Sequence, residues 1–396
     1  MLNESVLALG KKRSTIREIF EYGNKRAAVV GRENVFDFSI GNPNVPAPAS
    51  VRTALLGLIE NEDPAKLHGY TSAQGAPESR AAIAASLNSR FGTAYTAEQL
   101  YMTAGAAASV SICFKALTAS PGDEFIIFAP FFPEYTVFIE QGAGAKCVIV
   151  PPRTEDFQID FAALAACITP RTKGVVINSP SNPSGVVYTD ETIARLAEVL
   201  TEKSAAYGRP IYLISDEPYR EIVYDNRPVP FIARAYPHTL VCYSYSKSLS
   251  LAGERIGYVL VPRVEGYEDL YAAVCGAGRV LGYVNAPSLF QRVVAQCAAD
   301  TADLSIYAEN RRLLYEGLTR MGYRCVKPEG AFYLFPQTLE ADDRAFCERA
   351  KAYDLLLVPG TDFGAPGHMR ISYCVQTEKI VRALPLFERL AREYGV

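Results

Sequence analysis

The sequence predicts an α/β protein with a largely parallel sheet, together with a smaller domain assembled from both chain ends. Three observations carry that expectation: strand-length apolar runs alternate with helical or turn-bearing segments, a proline- and glycine-rich stretch interrupts the chain early, and the helix and strand pattern changes late. The apolar runs are 125–129 (FIIFA), 146–150 (KCVIV), 174–178 (GVVIN), 211–215 (IYLIS), 239–243 (TLVCY) and 256–261 (IGYVLV), each rich in β-branched or aromatic residues. Such runs, separated by helices, mark strands buried on both faces of a parallel sheet. The segment 41–51 (GNPNVPAPASV) follows an N-terminal helical stretch and reads as a hinge or an ordered active-site loop. Near 285–288 (NAPS) a long helical pattern begins, running from Gln291 to about Met321. Beyond it RCVKPEGAFYLFP and MRISYC read as strands of a different sheet, split by the helical RAFCERAKAYD. The expected division is a large domain over 47–288 and a smaller one made of 1–46 and 289–396.

Composition narrows the function. A chain of 396 residues is long enough for two domains, and 49% hydrophobic with 21% charged residues is globular composition. No stretch supplies the roughly 18 uninterrupted apolar residues of a membrane helix. Forty Lys+Arg against 43 Asp+Glu give a net charge of −3, which offers no electrostatic footprint for nucleic acid or an anionic membrane. The KKR run at 11–13 is too short to change that. Nine scattered cysteines with mostly apolar flanks read as buried free thiols. The opening MLNESVLALGKKR places its basic residues after its apolar ones, the wrong order for a secretory signal, so a cytoplasmic location is expected. His68, His238 and His368 lack metal-ligand spacing, and no metal is expected.

Ligands of open α/β sheets sit beyond the carboxyl ends of the strands. After 174–178 comes SPSNPSG with Asn182; after 211–215 comes DEPYR with Asp216 and Tyr219; after 239–243 comes SYSKSLS with Ser244, Ser246 and Lys247. A lysine in such company, without a metal cluster or a Walker loop, suggests Schiff-base chemistry. An aldehyde cofactor with a basic ring nitrogen calls for an ionised acid at that nitrogen, a role that suits Asp216, and for donors at its phenolic oxygen, which Tyr219 and Asn182 supply. For a phosphate the candidates are the small-residue turn TAGAAAS at 103–109, which opens a helix, the hydroxyls of Ser244 and Ser246, and Arg255.

With these residues in place the sequence resembles the fold type I pyridoxal-phosphate (PLP) enzymes, specifically class I and II aminotransferases, among them aspartate-aminotransferase-like members. The supporting segments occur in the family's order: Gly41-Asn42-Pro43, Tyr70 to Gly75 (YTSAQG), Thr103 to Ser109, Pro130-Phe131-Phe132, Asn182-Pro183-Ser184-Gly185, Asp216-Glu217-Pro218-Tyr219, Ser244-Tyr245-Ser246-Lys247 with Arg255, and Met369-Arg370-Ile371-Ser372. The resemblance spans about 38–373. It implies a three-layer sandwich with a mostly parallel mixed sheet in the PLP-binding domain and a smaller α+β domain. It also implies a homodimer with shared active sites, whose other partners are a small-molecule amino acid and 2-oxo acid. Carried over residue by residue, Lys247 forms the Schiff base, Asp216 meets the pyridine nitrogen, Tyr219 and Asn182 the phenolic oxygen, and Phe132 stacks on the ring. Ser244, Ser246, Arg255 and the backbone of Ala106 and Ala107 hold the phosphate, with Tyr70 from the second subunit. Arg370 binds the substrate α-carboxylate with Asn182 and Gly41.

The implied reaction moves the amino group of an L-amino acid to a 2-oxo acid, with Lys247 as the base that removes the Cα proton. Aspartate or glutamate is the expected donor and 2-oxoglutarate the acceptor, with Arg279 as candidate for a distal carboxylate. Arg279 stands one position out of the family's register. Gly278, Tyr283 and the segment Ser14 to Arg17 point instead to neutral or aromatic donors. The same cofactor frame would also serve a PLP-dependent carbon–sulfur β-lyase or a PLP-binding ligand-sensing regulatory domain.

Overall fold

The computed structural model describes residues 2–11 and 14–396, so Lys12 and Arg13 of the basic run lie outside the described residues. In chain order the strands are β1 (Phe36–Asp37), β2 (Leu100–Thr103), β3 (Glu124–Phe128), β4 (Lys146–Val150), β5 (Thr172–Asn178), β6 (Tyr212–Asp216), β7 (Thr239–Ser244), β8 (Gly257–Leu260), β9 (Tyr333–Leu334), β10 (Leu355–Leu356), β11 (Val358–Pro359) and β12 (Met369–Ser372). Strands β2 to β8 form a seven-stranded sheet in the order β2-β8-β7-β6-β5-β3-β4. The run from β7 to β4 is parallel throughout, and β8 lies antiparallel to both β7 and β2.

Alternation along these strands creates the layers. Phe125 and Ile127 face helices 106–117 and 267–280, whereas Ile126 and Phe128 face helices 161–167 and 190–207. Both faces of the sheet are therefore covered, giving an α/β three-layer sandwich with a mixed, mostly parallel sheet. All six expected runs are strands. Leu100-Tyr101-Met102, read in the sequence only as a lead-in to the small-residue turn, is a seventh, with Leu100 registered on Leu260 and Thr103 on Gly257.

The smaller α+β part comes from the chain ends. Antiparallel β11-β12-β9 and the parallel pair β1-β10 surround a core that includes Phe38, Leu314, Phe346, Ile371 and Phe387. Phe36 registers on Leu355, which ties the first strand to the last quarter of the chain. The helical pattern expected from Gln291 to Met321 is broken into Ser288–Gln296 and Ser305–Arg320. Between them the Ala302 N–H donates to the Ser248 carbonyl at 2.7 Å, and Asp303 accepts from the Ser305 N–H at 2.9 Å, so the backbone leaves one helix and starts another. All cysteines are free thiols: Cys113, Cys242, Cys297, Cys347 and Cys374 are buried, but Cys147, Cys167, Cys275 and Cys325 are only half-buried, against the expectation for them. Among the described residues no helix is long and apolar enough to cross a membrane.

One polar side chain fastens the end of β12. Asn310, fully buried, donates from Nδ2 to the carbonyls of Tyr373 (2.9 Å) and Val375 (2.7 Å). Truncation leaves both acceptors without this donor, and the bond lost at Tyr373 is a buried one. Asn310→Ala is expected to lower the unfolding free energy by about 1–3 kcal/mol in urea titrations; an unchanged midpoint would show that the two carbonyls find other donors.

Candidate active site

The parallel register delivers polar residues to one edge. Asn178 and Asp216 are neighbours at the ends of β5 and β6, Asp216 registers on Cys242, and β7 ends at Ser244 opposite Gly257. The short helix Tyr245–Ser248 follows, opened by Ser244 Oγ accepting from the Ser246 N–H at 3.2 Å, and it carries Lys247. Asn178, Asp216, Ser244, Ser246 and Lys247 line a cavity of about 540 Å³ together with Gly41, Ala106, Ala107, Phe132, Asn182, Tyr219, Arg255 and Arg370.

One end of the cavity is rich in donors. Gly105, at φ 86°, starts helix Ala106–Leu117, and a Cβ there would come within 2.7 Å of Arg255 Nη2. Only glycine lets the helix N-terminus and the guanidinium share this end. Ser244 Oγ and Ser246 Oγ are 2.7 Å apart, and Arg255 Nη1 reaches Ser246 Oγ at 3.4 Å. Phe132 lies edge-on to Tyr135, ring centroids 5.5 Å apart.

Asp216 is buried, and Tyr135 donates to its Oδ2, while Oδ1 has no hydrogen-bond partner among the described residues. Burial pushes the carboxyl up to about 7, against the hydrogen bond from Tyr135, and the negative Glu217 adds to the rise. Lys247 donates to the Gly41 carbonyl at 2.6 Å, its Nζ 5.5 Å from the Phe332 ring centroid. Enclosure by protein pushes this amine down to about 8, and the positive charges of Arg255 and Arg370 act in the same direction.

Arg370 enters from β12. It is 2% exposed, donates from Nη1 to Asn182 Oδ1 at 3.0 Å and from Nη2 to the Ser39 carbonyl, and keeps a buried Nε without a partner among the described residues. Its guanidinium carbon lies 4.8 Å from the Tyr333 centroid and 4.9 Å from that of Phe363. Burial lowers its pKa. Tyr219 and Tyr333 hydroxyls are 2.9 Å apart.

The cavity thus gathers all the residues assigned to cofactor and substrate except two; of those expected for neutral or aromatic donors, Ser14, Ile16 and Arg17 line it, whereas Thr15, Gly278 and Tyr283 do not. Tyr70, 98% exposed, and Arg279, also exposed, do not line it in the single chain. His368 stacks on Phe335 at 5.3 Å and lies outside the cavity. Sequence reading missed Tyr135, Tyr333 and Asn178, and Phe20 beside the noted Ile16 and Arg17. Tyr135 stood in the segment APFFPEY, three residues after Phe132, and Tyr333 in the strand GAFYLFP, where a phenol among apolar residues was the available signal.

The donor set fits pyridoxal phosphate. An unpartnered oxygen of a buried carboxylate suits a protonated ring nitrogen, the helix start with two hydroxyls and a guanidinium suits a phosphate, and an amine of lowered basicity suits an aldehyde.

Comparison with known proteins agrees with this fit. The family described as aminotransferase class I and II matches residues 33–385. The chain is 30% identical over 372 residues to the probable aspartate/prephenate aminotransferase of Thermus aquaticus, covering 92% of this chain and 94% of that one. It is 31% identical over 392 residues to the aspartate aminotransferase of Pyrococcus horikoshii, covering 96% and 94%. Among solved structures, an amino transferase from Eubacterium rectale superposes with a TM-score of 0.98 at 59% identity over 100% of both chains. The aspartate aminotransferase of Thermus thermophilus with maleate gives 0.85 at 29% identity, covering 98% and 99%. Cavity, fold and relatives lead to one conclusion: this chain belongs to the class I and II aminotransferase family and is a PLP-dependent aminotransferase.

Proposed function

We propose that the 540 Å³ cavity is the transamination site, with an acidic amino acid as donor and 2-oxoglutarate as acceptor. The observation that carries the site is the presence, in one cavity, of the half-satisfied Asp216 carboxylate, the Lys247 amine and the buried Arg370 guanidinium. The cofactor supplies an aldehyde and an electron-withdrawing ring. Asp216 Oδ1 accepts from the ring nitrogen, an ion pair that offsets the cost of burying the carboxylate. Ser244, Ser246, Arg255 and the Ala106 and Ala107 N–H groups hold the phosphate, and Phe132 covers one ring face. Asn182 turns its oxygen to Arg370, which leaves its amide nitrogen to donate, with Tyr219, to the phenolic oxygen.

Arg370 forks onto the substrate α-carboxylate, with Gly41 alongside. Lys247 Nζ accepts the substrate Cα proton and holds it for return; burial, with the positive charges of Arg255 and Arg370, lowers its basicity and so favours the neutral amine that this role needs. The Gly41 carbonyl orients that nitrogen. Ile16 and Phe20, on helix Thr15–Val30, wall the opening and exclude water.

The substrate reading is supported by relatives named for aspartate, by the maleate, a dicarboxylate, in the Thermus thermophilus structure, and by Arg17 lining the cavity as a further cation. The apolar Ile16 and Phe20 beside Arg17 favour a second reading, a ring-bearing carboxylate such as the prephenate named for other relatives. Arg279 and Tyr70 reach the site only from a second copy, and we assign a homodimer. The chain alone exposes 17000 Å², above the roughly 15,000 Å² expected of a monomer its size. Exposed Leu56, Ile59, Val280, Tyr283 and Val284 accompany Tyr70 and Arg279. The cytoplasmic assignment rests on the free cysteines.

Replacing Lys247 with Ala is expected to remove the visible absorption of the lysine-linked cofactor and to slow single-turnover transamination of aspartate by at least roughly 10²–10⁴-fold, with the melting temperature retained. Turnover at the wild-type rate in that variant contradicts the proton role. For the donor, Arg17→Ala and Arg279→Ala are compared on aspartate and alanine. Loss of the cation that reads the distal carboxylate raises KM for aspartate about tenfold or more and spares alanine. If neither variant discriminates, the donor is not acidic. With an S-alkylcysteine as substrate and no oxo acid acceptor, release of pyruvate, ammonia and the thiol would instead indicate elimination.

A further inference from the structure

Tyr333 touches three parts of the site at once. Its hydroxyl meets that of Tyr219 at 2.9 Å, its ring lies under the Arg370 guanidinium at 4.8 Å, and a Cβ on Gly41 would fall 1.9 Å from its oxygen. Gly41 in turn holds Lys247 through its carbonyl at 2.6 Å. We propose that Tyr333 is a positioning residue of the reaction: its hydroxyl donates to Tyr219, and so directs and strengthens the hydrogen bond that Tyr219 gives the cofactor's phenolic oxygen. This rests on the placement of Tyr219 proposed above.

Proton counting sets the direction. Each phenol carries one proton. A Tyr219 that spends its proton on the phenolic oxygen can only accept from Tyr333. Arg370 favours the same polarity, because a cation over the Tyr333 ring draws electron density from its hydroxyl and makes it the better donor of the pair. Geometry leaves little choice of rotamer. Tyr219 stands edge-on to both Tyr333 (5.7 Å, 82°) and Phe332 (5.4 Å, 88°), and the Gly41 backbone closes over the Tyr333 oxygen. Burial pushes the Tyr333 phenol up to about 12 and the Tyr219 phenol well above its ordinary value, so both keep their protons near neutral pH. Hydrogen bonds in such a chain polarise one another in a desolvated site.

The consequence is spectroscopic. With the cofactor bound through Lys247, donation from Tyr219 to the phenolic oxygen would loosen a proton that this oxygen would share with the linking nitrogen. Removing the Tyr333 hydroxyl weakens the donation, so the linkage holds its proton to higher pH. The test is a pH titration of the visible absorption of four holoenzymes: wild type, Tyr333→Phe, Tyr219→Phe and the double variant. Tyr333→Phe keeps the ring beneath Arg370. It is expected to raise the midpoint by about half a pH unit, with kcat lowered and KM for the amino acid within about twofold of wild type. Tyr219→Phe should raise the midpoint further, and the double variant should match Tyr219→Phe alone, because the outer hydroxyl acts through the inner one. An unshifted Tyr333→Phe, or shifts that add in the double variant, overturns the inference while leaving the site reading intact. An unshifted Tyr219→Phe overturns the placement of Tyr219 and this inference with it.

Discussion

A carboxylate sealed from water with one oxygen unpaired is costly, and Asp216 is held in that condition by the sheet itself. Its Oδ2 is taken by Tyr135, its Oδ1 has no partner among the described residues, and no cation closes on it. Lys247 and Arg370, two of the cations that line the same cavity, are directed elsewhere: the first to the Gly41 carbonyl and the second to Asn182 and Ser39. The protein thus keeps in one cavity a carboxyl that burial holds near the edge of ionisation and two cationic side chains that, among the described residues, do not pair with it. In our account the cofactor and the substrate complete them, with a ring nitrogen at Asp216, an aldehyde at Lys247 and a carboxylate at Arg370.

The architecture makes this separation rigid. Asp216 and Lys247 follow adjacent parallel strands, so their spacing is set by the ladder between β6 and β7. Arg370 comes from the other sheet and spans to Asn182 in the turn after β5, which couples the two parts of the fold through the proposed substrate arginine. Glycine is then required at two points, Gly105 by its φ of 86° and Gly41 by its approach to the rigid Tyr333 ring.

Much of this was legible in the sequence because strand ends are local features. The apolar runs announced their own termini, and Asn182, Asp216 and Lys247 each stood just past one. Arg370 could be placed on a strand by its alternating neighbours, but its site role came only from the family resemblance. Tyr135 and Tyr333 were invisible as partners of Asp216 and Tyr219, because 81 and 114 residues separate the members of each pair and only the packed fold brings them together. The break between Gln296 and Ser305 was missed for the converse reason. Its residues include three alanines and no glycine or proline to mark a stop, and a tertiary hydrogen bond from Ala302 to Ser248 decides against helix.

The central claim is that the Asp216 carboxylate faces a protonated ring nitrogen. The most direct measurement is the 15N chemical shift of ring-labelled pyridoxal phosphate bound to the enzyme at neutral pH. The wild type is expected to give the shift of a protonated pyridine nitrogen and Asp216→Ala that of a deprotonated one. An unprotonated ring nitrogen in the wild-type holoenzyme would contradict it.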